Sequence, residues 1–187
     1  MPRLHNKRLQ SGKTTPPEHS PKWEKLFAIT KAMYTSATDW LLWLDCDAAF
    51  TNFDIDWRVH LRDHLDKSRV LVASRDISGI NLGVFLVPNT PYSRFFVEMM
   101  SEERYDIERR QLSHKDQNAL KNLLTKSPQL ACSIDDSVPQ GMINSYLDNP
   151  AGHQWMRNDW IAHQVFCESR DCPDRFLSFL RSVGPDP

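Results

Sequence analysis

The sequence lacks the features that most directly indicate a membrane span, a nucleic-acid partner or structural zinc. No apolar run approaches the roughly 20 residues that a membrane-spanning helix needs. The formal net charge is −1, so no overall field attracts polyanions. Only four cysteines occur, and none forms a Cys-x-x-Cys pair, so structural zinc is not expected. The 187 residues, 40% of them hydrophobic, instead suffice for one globular domain with its own core.

The two ends of the chain give less information than its middle. Residues 1–21 favour a flexible arm, and residues 22–187 a single folded domain. The arm begins with a basic segment, but no hydrophobic stretch follows it, so it does not form a secretory signal. Cys167 and Cys172 have four residues between them. They could form a small disulfide loop in an oxidising compartment or remain two free thiols.

The most informative stretch is an apolar run, residues 40–44, that ends at two acids. An unbroken run of this kind predicts a strand buried on both faces. Asp45 and Asp47 follow it directly, and in a parallel sheet ligands collect beyond the carboxyl ends of the strands. An extended chain would point both carboxylates to one side, whereas a turn could bring both onto one hard cation. The alternative is that they are solvated loop acids or helix caps.

The remaining pattern is typical of an α/β domain. Apolar runs predict strands at 70–73 and 80–87, and amphipathic spacing predicts helices at 21–37, 91–104, 114–124 and 176–183. A second acid pair, Asp54 and Asp56, is better explained as acids at a helix start. Asp116 and Gln117 also open a helix, where a capping role is the simple alternative. His163 ends a short apolar run, where a histidine is either structural or a ligand.

Six segments in this order resemble the metal-dependent glycosyltransferases of the GT-A fold. More narrowly, they resemble glycosyltransferase family 34, the fungal galactomannan galactosyltransferases and plant xyloglucan xylosyltransferases. The segments are Trp23-Glu24-Lys25-Leu26, Trp43-Leu44-Asp45-Cys46-Asp47-Ala48, Asn81-Leu82-Gly83-Val84-Phe85-Leu86, Asp116-Gln117-Asn118-Ala119-Leu120, Val138-Pro139-Gln140 with Asn144-Ser145-Tyr146, and Asp159-Trp160-Ile161-Ala162-His163. The resemblance implies a Rossmann-like GT-A domain with a mixed, mostly parallel sheet flanked by helices.

The resemblance also implies a metal and donor site. Asp45 and Asp47 match the acids that meet the nucleotide ribose and the metal, and His163 matches the histidine that completes the metal coordination. Lys25 matches a lysine near the sugar nucleotide. Carboxylates with an imidazole suit Mn²⁺ and also accept Mg²⁺.

Four further residues match positions around the reacting sugar. Asn81 and Gly83 match the strand that lines the donor and acceptor cleft, while Asp116 and Gln117 match residues beside the reacting carbon. Family members retain the anomeric configuration. Either Asp116 serves as a nucleophile in a double displacement, or the acceptor attacks on the same face while Gln117 stabilises an oxocarbenium-like sugar.

The implied function is transfer of a hexosyl or pentosyl group, galactose or xylose, from a UDP-sugar to a glycan acceptor. The family has an earlier strand in the nucleotide pocket, and the resemblance implies that the chain lacks it. A truncated, non-catalytic GT-A module that binds a glycan or a protein is therefore the alternative, and a metal-dependent hydrolase is a third reading. Family members work in the Golgi lumen behind an N-terminal anchor, whereas a complete chain of this sequence would be cytoplasmic. No nucleic-acid partner is expected, and the resemblance allows an oligomer with related transferases.

Overall fold

The computed structural model describes residues 21–165 and 171–183. Residues 1–20 of the expected arm lie outside the described part. The described strands are β1 (Trp40–Leu44), β2 (Ala48–Phe50), β3 (Leu71–Asp76), β4 (Gly79–Pro88), β5 (Ile134–Val138), β6 (Ser145–Tyr146) and β7 (Ile161–His163). The helices are α1 (Glu24–Thr35), α2 (Trp57–His60), α3 (Pro91–Glu102), α4 (Arg104–Arg109), α5 (Lys115–Lys126), α6 (Gln140–Ile143) and α7 (Cys172–Val183).

The strands form two mixed sheets, which confirms the α/β class. The larger sheet has the order β1-β4-β3-β5 and the smaller one β2-β7-β6. The expectation of a mostly parallel arrangement is wrong for the described strands, because three of their five pairings are antiparallel. The cause is local for β3 and β4. Asp76 pairs with Gly79, so only two residues join the strands and they must run in opposite directions.

Two central strands separate two apolar layers. On β4, Phe85 and Val87 pack into one buried cluster while Val84 and Leu86 pack into the other. This alternation is the period of two that an extended chain imposes. Helices α1, α3 and α5 supply much of the first cluster, and residues around α2 and β7 supply much of the second. The unbroken apolar runs predicted for β3 and β4 therefore do correspond to strands covered on both faces.

Strand β1 departs from its expected burial. Its side chains do contact both clusters, but all five residues are only half-buried. The reason is its place in the described sheet, where it pairs with β4 on one side and lies at an edge on the other. An edge strand loses the shielding that a second neighbour gives. The sequence predicted the strand correctly and its burial incorrectly.

Helices α1 and α3 pack side by side against the first layer. Trp23, Leu26 and Met33 of the α1 region are each about 1% exposed. On α3, the side chain of Phe96 is buried, whereas that of Phe95 is 56% exposed. No helix in the described ranges is both long and apolar enough to cross a bilayer.

The two phenylalanines of α3 provide a test of the core. Phe96→Ala should lower the free energy of unfolding by about 3–5 kcal/mol, because it leaves a cavity in the first apolar layer. Phe95→Ala should change it by less than about 0.5 kcal/mol, since that ring is largely in solvent. Urea denaturation followed by circular dichroism measures both. Equal losses for the two variants would contradict the placement of α3.

Candidate active site

A turn directly after β1 brings the two acids of the Asp-x-Asp motif together. The Ala48 N–H donates to the carbonyl of Asp45 at 3.0 Å, which closes the turn. The chain then enters β2, where Ala48 lies opposite His163 of β7. The Gln164 N–H continues this pairing by donating to the carbonyl of Asp47 at 2.8 Å. Of the two arrangements considered from the sequence, the turn is the one that occurs.

The pairing of β2 with β7 places an imidazole beside the acids. Nε2 of His163 lies 3.1 Å from Oδ1 of Asp47, although 116 residues separate them in sequence. One ligand atom from each of Asp45, Asp47 and His163 can be chosen so that all three lie within 4.8 Å of one another. His163 is 4% exposed, which restricts its ring to this orientation. Two carboxylates and an imidazole are a donor set that fits a hard divalent cation.

The electrostatic environment keeps Asp47 ionised. Burial alone would raise the pKa of its carboxyl group, but the hydrogen bond and the charge that His163 supplies when both of its ring nitrogens carry protons outweigh this effect, and the pKa is lowered. An ionised carboxylate is the form that binds a metal.

Lys25 is buried and bonded to three acceptors. Its Nζ lies 2.8 Å from Oδ1 of Asp45 and 2.7 Å from Oδ2 of Asp116, and it donates to the carbonyl of Leu82 at 2.9 Å. An ammonium group has three donors, so these contacts satisfy all of them. Burial acts to lower the pKa of Lys25, but the carboxylates of Asp116 and Asp45 act more strongly together, and the pKa is raised. Lys25 therefore links the Asp-x-Asp turn to the start of α5 as a stable cation.

The start of α5 presents its first two polar residues to the same region. Asp116 is 7% exposed and is held by Lys25. Gln117 is only half-buried, and it lies where the central cleft meets a second groove. Asp116 is thus a buried charge with a partner, whereas Gln117 is available to a ligand.

The first residues of strand β4, and not its last ones, line the site. Because β4 runs antiparallel to β1, its first residues lie beside the acids that follow β1. A Cβ atom on Gly83 would lie 2.2 Å from Cε1 of His163 and 3.0 Å from Oδ1 of Asn81. No side chain fits there, so glycine at this position is what allows the imidazole to reach the acids.

All eight residues that the sequence singled out line or border one cleft of about 570 Å³. They are Lys25, Asp45, Asp47, Asn81, Gly83, Asp116, Gln117 and His163. Residues from five separate segments of the chain therefore meet in one cleft, as expected where a ligand binds.

Three further polar residues of the cleft region received no role from the sequence. The hydroxyl of Tyr146 donates to Asp76 at 2.6 Å, and Asn144 contacts His163 at 2.8 Å. Burial and the neighbouring Asp76 carboxylate raise the pKa of Tyr146 well above its usual value, so it remains a hydroxyl. The only sequence signal for Asp76 was the turn-forming stretch that follows it.

The second Asp-x-Asp pair lies outside the cleft, whereas Cys46 lines it. Asp56 caps α2 by accepting from the Arg58 N–H at 2.9 Å, as the helix-start interpretation predicted, and Asp54 is exposed. Cys172 is disulfide-bonded, whereas Cys46 and Cys132 are free thiols. Cys167, the partner considered for Cys172, lies outside the described residues.

Comparison with known families identifies the chain. The model of the galactosyl transferase GMA12/MNN10 family, a glycosyltransferase family 34 model, matches residues 58–173. This match covers more than half of the chain. The chain belongs to this family. The resemblance inferred from the six sequence segments is thereby confirmed.

Curated relatives of this family 34 chain come from yeast and plants. A probable alpha-1,2-galactosyltransferase (gmh2) of Schizosaccharomyces pombe is 26% identical over 116 residues, which are 61% of this chain and 32% of the relative. An alpha-1,2-galactosyltransferase of the same yeast is 24% identical over 89% of this chain and 52% of the relative. A probable glycosyltransferase 6 of Oryza sativa is 32% identical, over 41% of this chain and 17% of the relative. The chain thus spans between about a sixth and about half of the length of these relatives.

Solved structures confirm the GT-A fold of the family 34 chain. A glycosyltransferase involved in the glycosylation of the major capsid of PBCV-1 superposes with a TM-score of 0.64 at 15% identity, over 92% of this chain and 81% of the other. The galactosyltransferase LgtC, in complex with donor and acceptor sugar analogs, superposes with a TM-score of 0.53 at 18% identity, over 86% and 68%. At these identities the likeness concerns the fold alone.

The linking role of Lys25 predicts a loss of stability when its charge is removed. Lys25→Met should lower the free energy of unfolding by about 3 kcal/mol, because it leaves the buried Asp116 without a partner. Lys31→Met, on the exposed side of the same helix, is the control and should have little effect. The pKa of Lys25 is raised above 10.5, so its contribution should hold throughout pH 7–9 and disappear only as the pH rises through the raised value. Thermal unfolding that shows no difference between the variants would contradict the ion pairing.

Proposed function

We propose that this domain is a retaining, divalent-metal-dependent glycosyltransferase that moves a galactosyl or xylosyl group from a UDP-sugar to a glycan acceptor. The observation that carries the proposal is the approach of His163 to Asp47 at the floor of a cleft that also holds Asp116 and Gln117. Family membership and the printed names of the galactosyltransferase relatives support the reaction class and favour galactose.

Asp45, Asp47 and His163 would hold the cation, with Mn²⁺ as the expected ion and Mg²⁺ as an alternative. A divalent cation bound there would neutralise the negative charge that builds on a departing nucleoside diphosphate. The backbone itself positions these three metal ligands. The turn after β1 fixes the two acids, and the pairing of β2 with β7 fixes the imidazole of His163.

In this proposal the main role of Lys25 is to hold other residues of the site in place. All three of its donors are taken by Asp45, Asp116 and the Leu82 carbonyl, so it does not extend freely toward a phosphate. By holding two carboxylates at fixed places, it keeps the donor-binding turn in register with the residues beside the reacting carbon. Such preorganisation lowers the reorganisation needed in the transition state.

The contacts of Asp116 and Gln117 favour the same-face route over a double displacement. A carboxylate nucleophile must be exposed to the anomeric carbon, whereas Asp116 is 7% exposed and paired with an ammonium group. The Gln117 side chain is half-buried at the edge of the cleft, where its amide oxygen can approach a positively charged sugar ring. We therefore assign Gln117 to the oxocarbenium-like sugar and Asp116 to the support of Lys25.

A groove of about 500 Å³ is the proposed place for the glycan acceptor. It shares Ser78, His114 and Gln117 with the central cleft, so a chain lying in it would reach the reacting sugar at Gln117. Its walls are the β3–β4 turn and one side of α5, including Lys121. The mixture of amide, hydroxyl, charged and aliphatic side chains suits the alternating polar and apolar faces of a sugar.

The proposed location is the Golgi lumen, as in the family resemblance. The disulfide at Cys172 supports an oxidising compartment, since such bonds are rare in the cytosol.

Transfer from UDP-galactose and UDP-xylose in the presence of Mn²⁺ tests the proposal. Asp47→Ala should reduce the rate about 100-fold or more, or about 3 kcal/mol of transition-state stabilisation, because it removes a cation ligand. Asp54→Ala, which alters the exposed acid of the other Asp-x-Asp pair, should retain full activity. Absence of metal-dependent donor binding or transfer by the wild type would favour a non-catalytic module, and phosphate release without an acceptor would favour a hydrolase.

The acceptor groove can be tested by filling it. Lys121→Trp places a large ring on the groove side of α5 and should raise the KM for a glycan acceptor about tenfold, or about 1.4 kcal/mol, while the KM for the UDP-sugar stays constant. Lys126→Trp is the matched control, because Lys126 lies on the same helix but pairs with Glu103 outside the groove. If both variants leave the acceptor KM unchanged, the acceptor does not lie in this groove.

A further inference from the structure

A buried chain of hydrogen bonds connects the backbone of β4 to the imidazole of His163. It runs through the side-chain amides of Asn81 and Asn144 and is called the amide row below. The Gly83 N–H donates to Oδ1 of Asn81 at 2.7 Å, and Nδ2 of Asn144 donates to the same oxygen at 2.9 Å. Oδ1 of Asn144 lies 2.8 Å from Nδ1 of His163. Asn144 is 0% exposed and Asn81 is 6% exposed, so the protein itself must satisfy their hydrogen-bonding groups.

The orientation of the Asn81 amide is fixed from both sides. A backbone N–H can only donate, so the Asn81 atom that faces Gly83 must be the oxygen. On its other side, the Asn81 amide faces the carboxylate of Asp76 at 2.9 Å. An ionised carboxylate only accepts, so the Asn81 atom there must be the nitrogen. Rotating the amide by half a turn would create two repulsive contacts at once.

The fixed amide of Asn81 in turn fixes that of Asn144. The Asn81 oxygen can only accept, so the Asn144 atom facing it must be the nitrogen. The remaining Asn144 atom is an oxygen, and it faces Nδ1 of His163. That ring nitrogen must therefore carry a proton, which leaves Nε2 of a neutral ring as a lone pair directed toward Asp47.

We propose that Asn144, held by Asn81 and the Gly83 N–H, is a positioning residue that fixes the proton of His163 on Nδ1 and keeps its Nε2 free to bind a divalent cation. The use of Nε2 for a cation rests on the proposed function, whereas the placement of the proton does not. Partners of this kind, on the far side of a ligating histidine, set its tautomer and orientation.

The amide row is needed because Asp47 offers the His163 ring a second hydrogen bond, which competes with the one to Asn144. Without Asn144, the neutral ring could move its proton to Nε2 and donate to Asp47 at 3.1 Å. That bond would occupy both a ligand nitrogen and a ligand carboxylate oxygen. The amide row opposes this exchange, since an unprotonated Nδ1 would face the oxygen of Asn144.

The tautomer can be measured directly on the metal-free protein. Two-bond ¹H–¹⁵N correlation spectra of ¹⁵N-histidine-labelled protein, at a pH where the ring is neutral, should show His163 protonated on Nδ1, with the signal assigned by its loss in His163→Gln. Asn144→Ala should move the proton partly or wholly to Nε2 and weaken Mn²⁺ binding by about 10–100-fold. Asn144→Asp keeps an acceptor beside Nδ1 and should retain the wild-type tautomer, but it replaces the donor that faces Oδ1 of Asn81 with an acceptor and should therefore lower the stability of the fold.

Asn122→Ala serves as the control, because Asn122 is a partly buried amide that contacts Glu103 and Asp106 away from the cleft. It should leave both the tautomer and the Mn²⁺ affinity unchanged. A wild-type His163 protonated on Nε2 would overturn the proposal even if no variant folds, as would an unchanged tautomer in Asn144→Ala. A protein that shows the predicted tautomers but binds no Mn²⁺ would keep the inference and overturn the metal dependence in the proposed function.

Discussion

The antiparallel pairing of β2 with β7 is the constraint on which the site depends. These strands are only three residues long, yet they bring the turn after β1 against a histidine 116 residues later. The turn alone would present two acids to solvent, as many surface loops do. With the imidazole beside them, the acids form a compact donor set in a cleft. Gly83 completes the arrangement by leaving space for the ring.

A second constraint is the balance of charge below the cleft. Several carboxylates converge there, and within the described cleft Lys25 bridges two of them, Asp45 and Asp116, while contacting the β4 backbone. This one buried cation therefore couples α1, the Asp-x-Asp turn, β4 and α5. Buried charges at this density are tolerated only when each has a partner. The need for such pairing explains why a lysine lies at a position that is otherwise part of the apolar face of α1.

The sequence predicted the elements better than their connections. Apolar runs identified β1, β3 and β4, and the amphipathic pattern identified α1, α3 and α5, because burial produces both signals locally. The antiparallel direction was missed for three pairings: that of β3 with β4 depends on the two-residue turn before Gly79, and those of β1 with β4 and β2 with β7 join strands distant in sequence. The partners of Lys25 and the amide row through Asn144 could not be read either, because their members are distant in sequence and meet only through the sheet.

Pulsed electron paramagnetic resonance of Mn²⁺ bound to the protein tests the central claim most directly. Protein labelled with ¹⁵N-histidine should show coupling of the metal to one directly bound imidazole nitrogen, and His163→Ala should abolish it. Such a result would place the distant histidine and the Asp-x-Asp turn on one ion. Bound Mn²⁺ without nitrogen coupling, or coupling that persists in His163→Ala, would contradict the account.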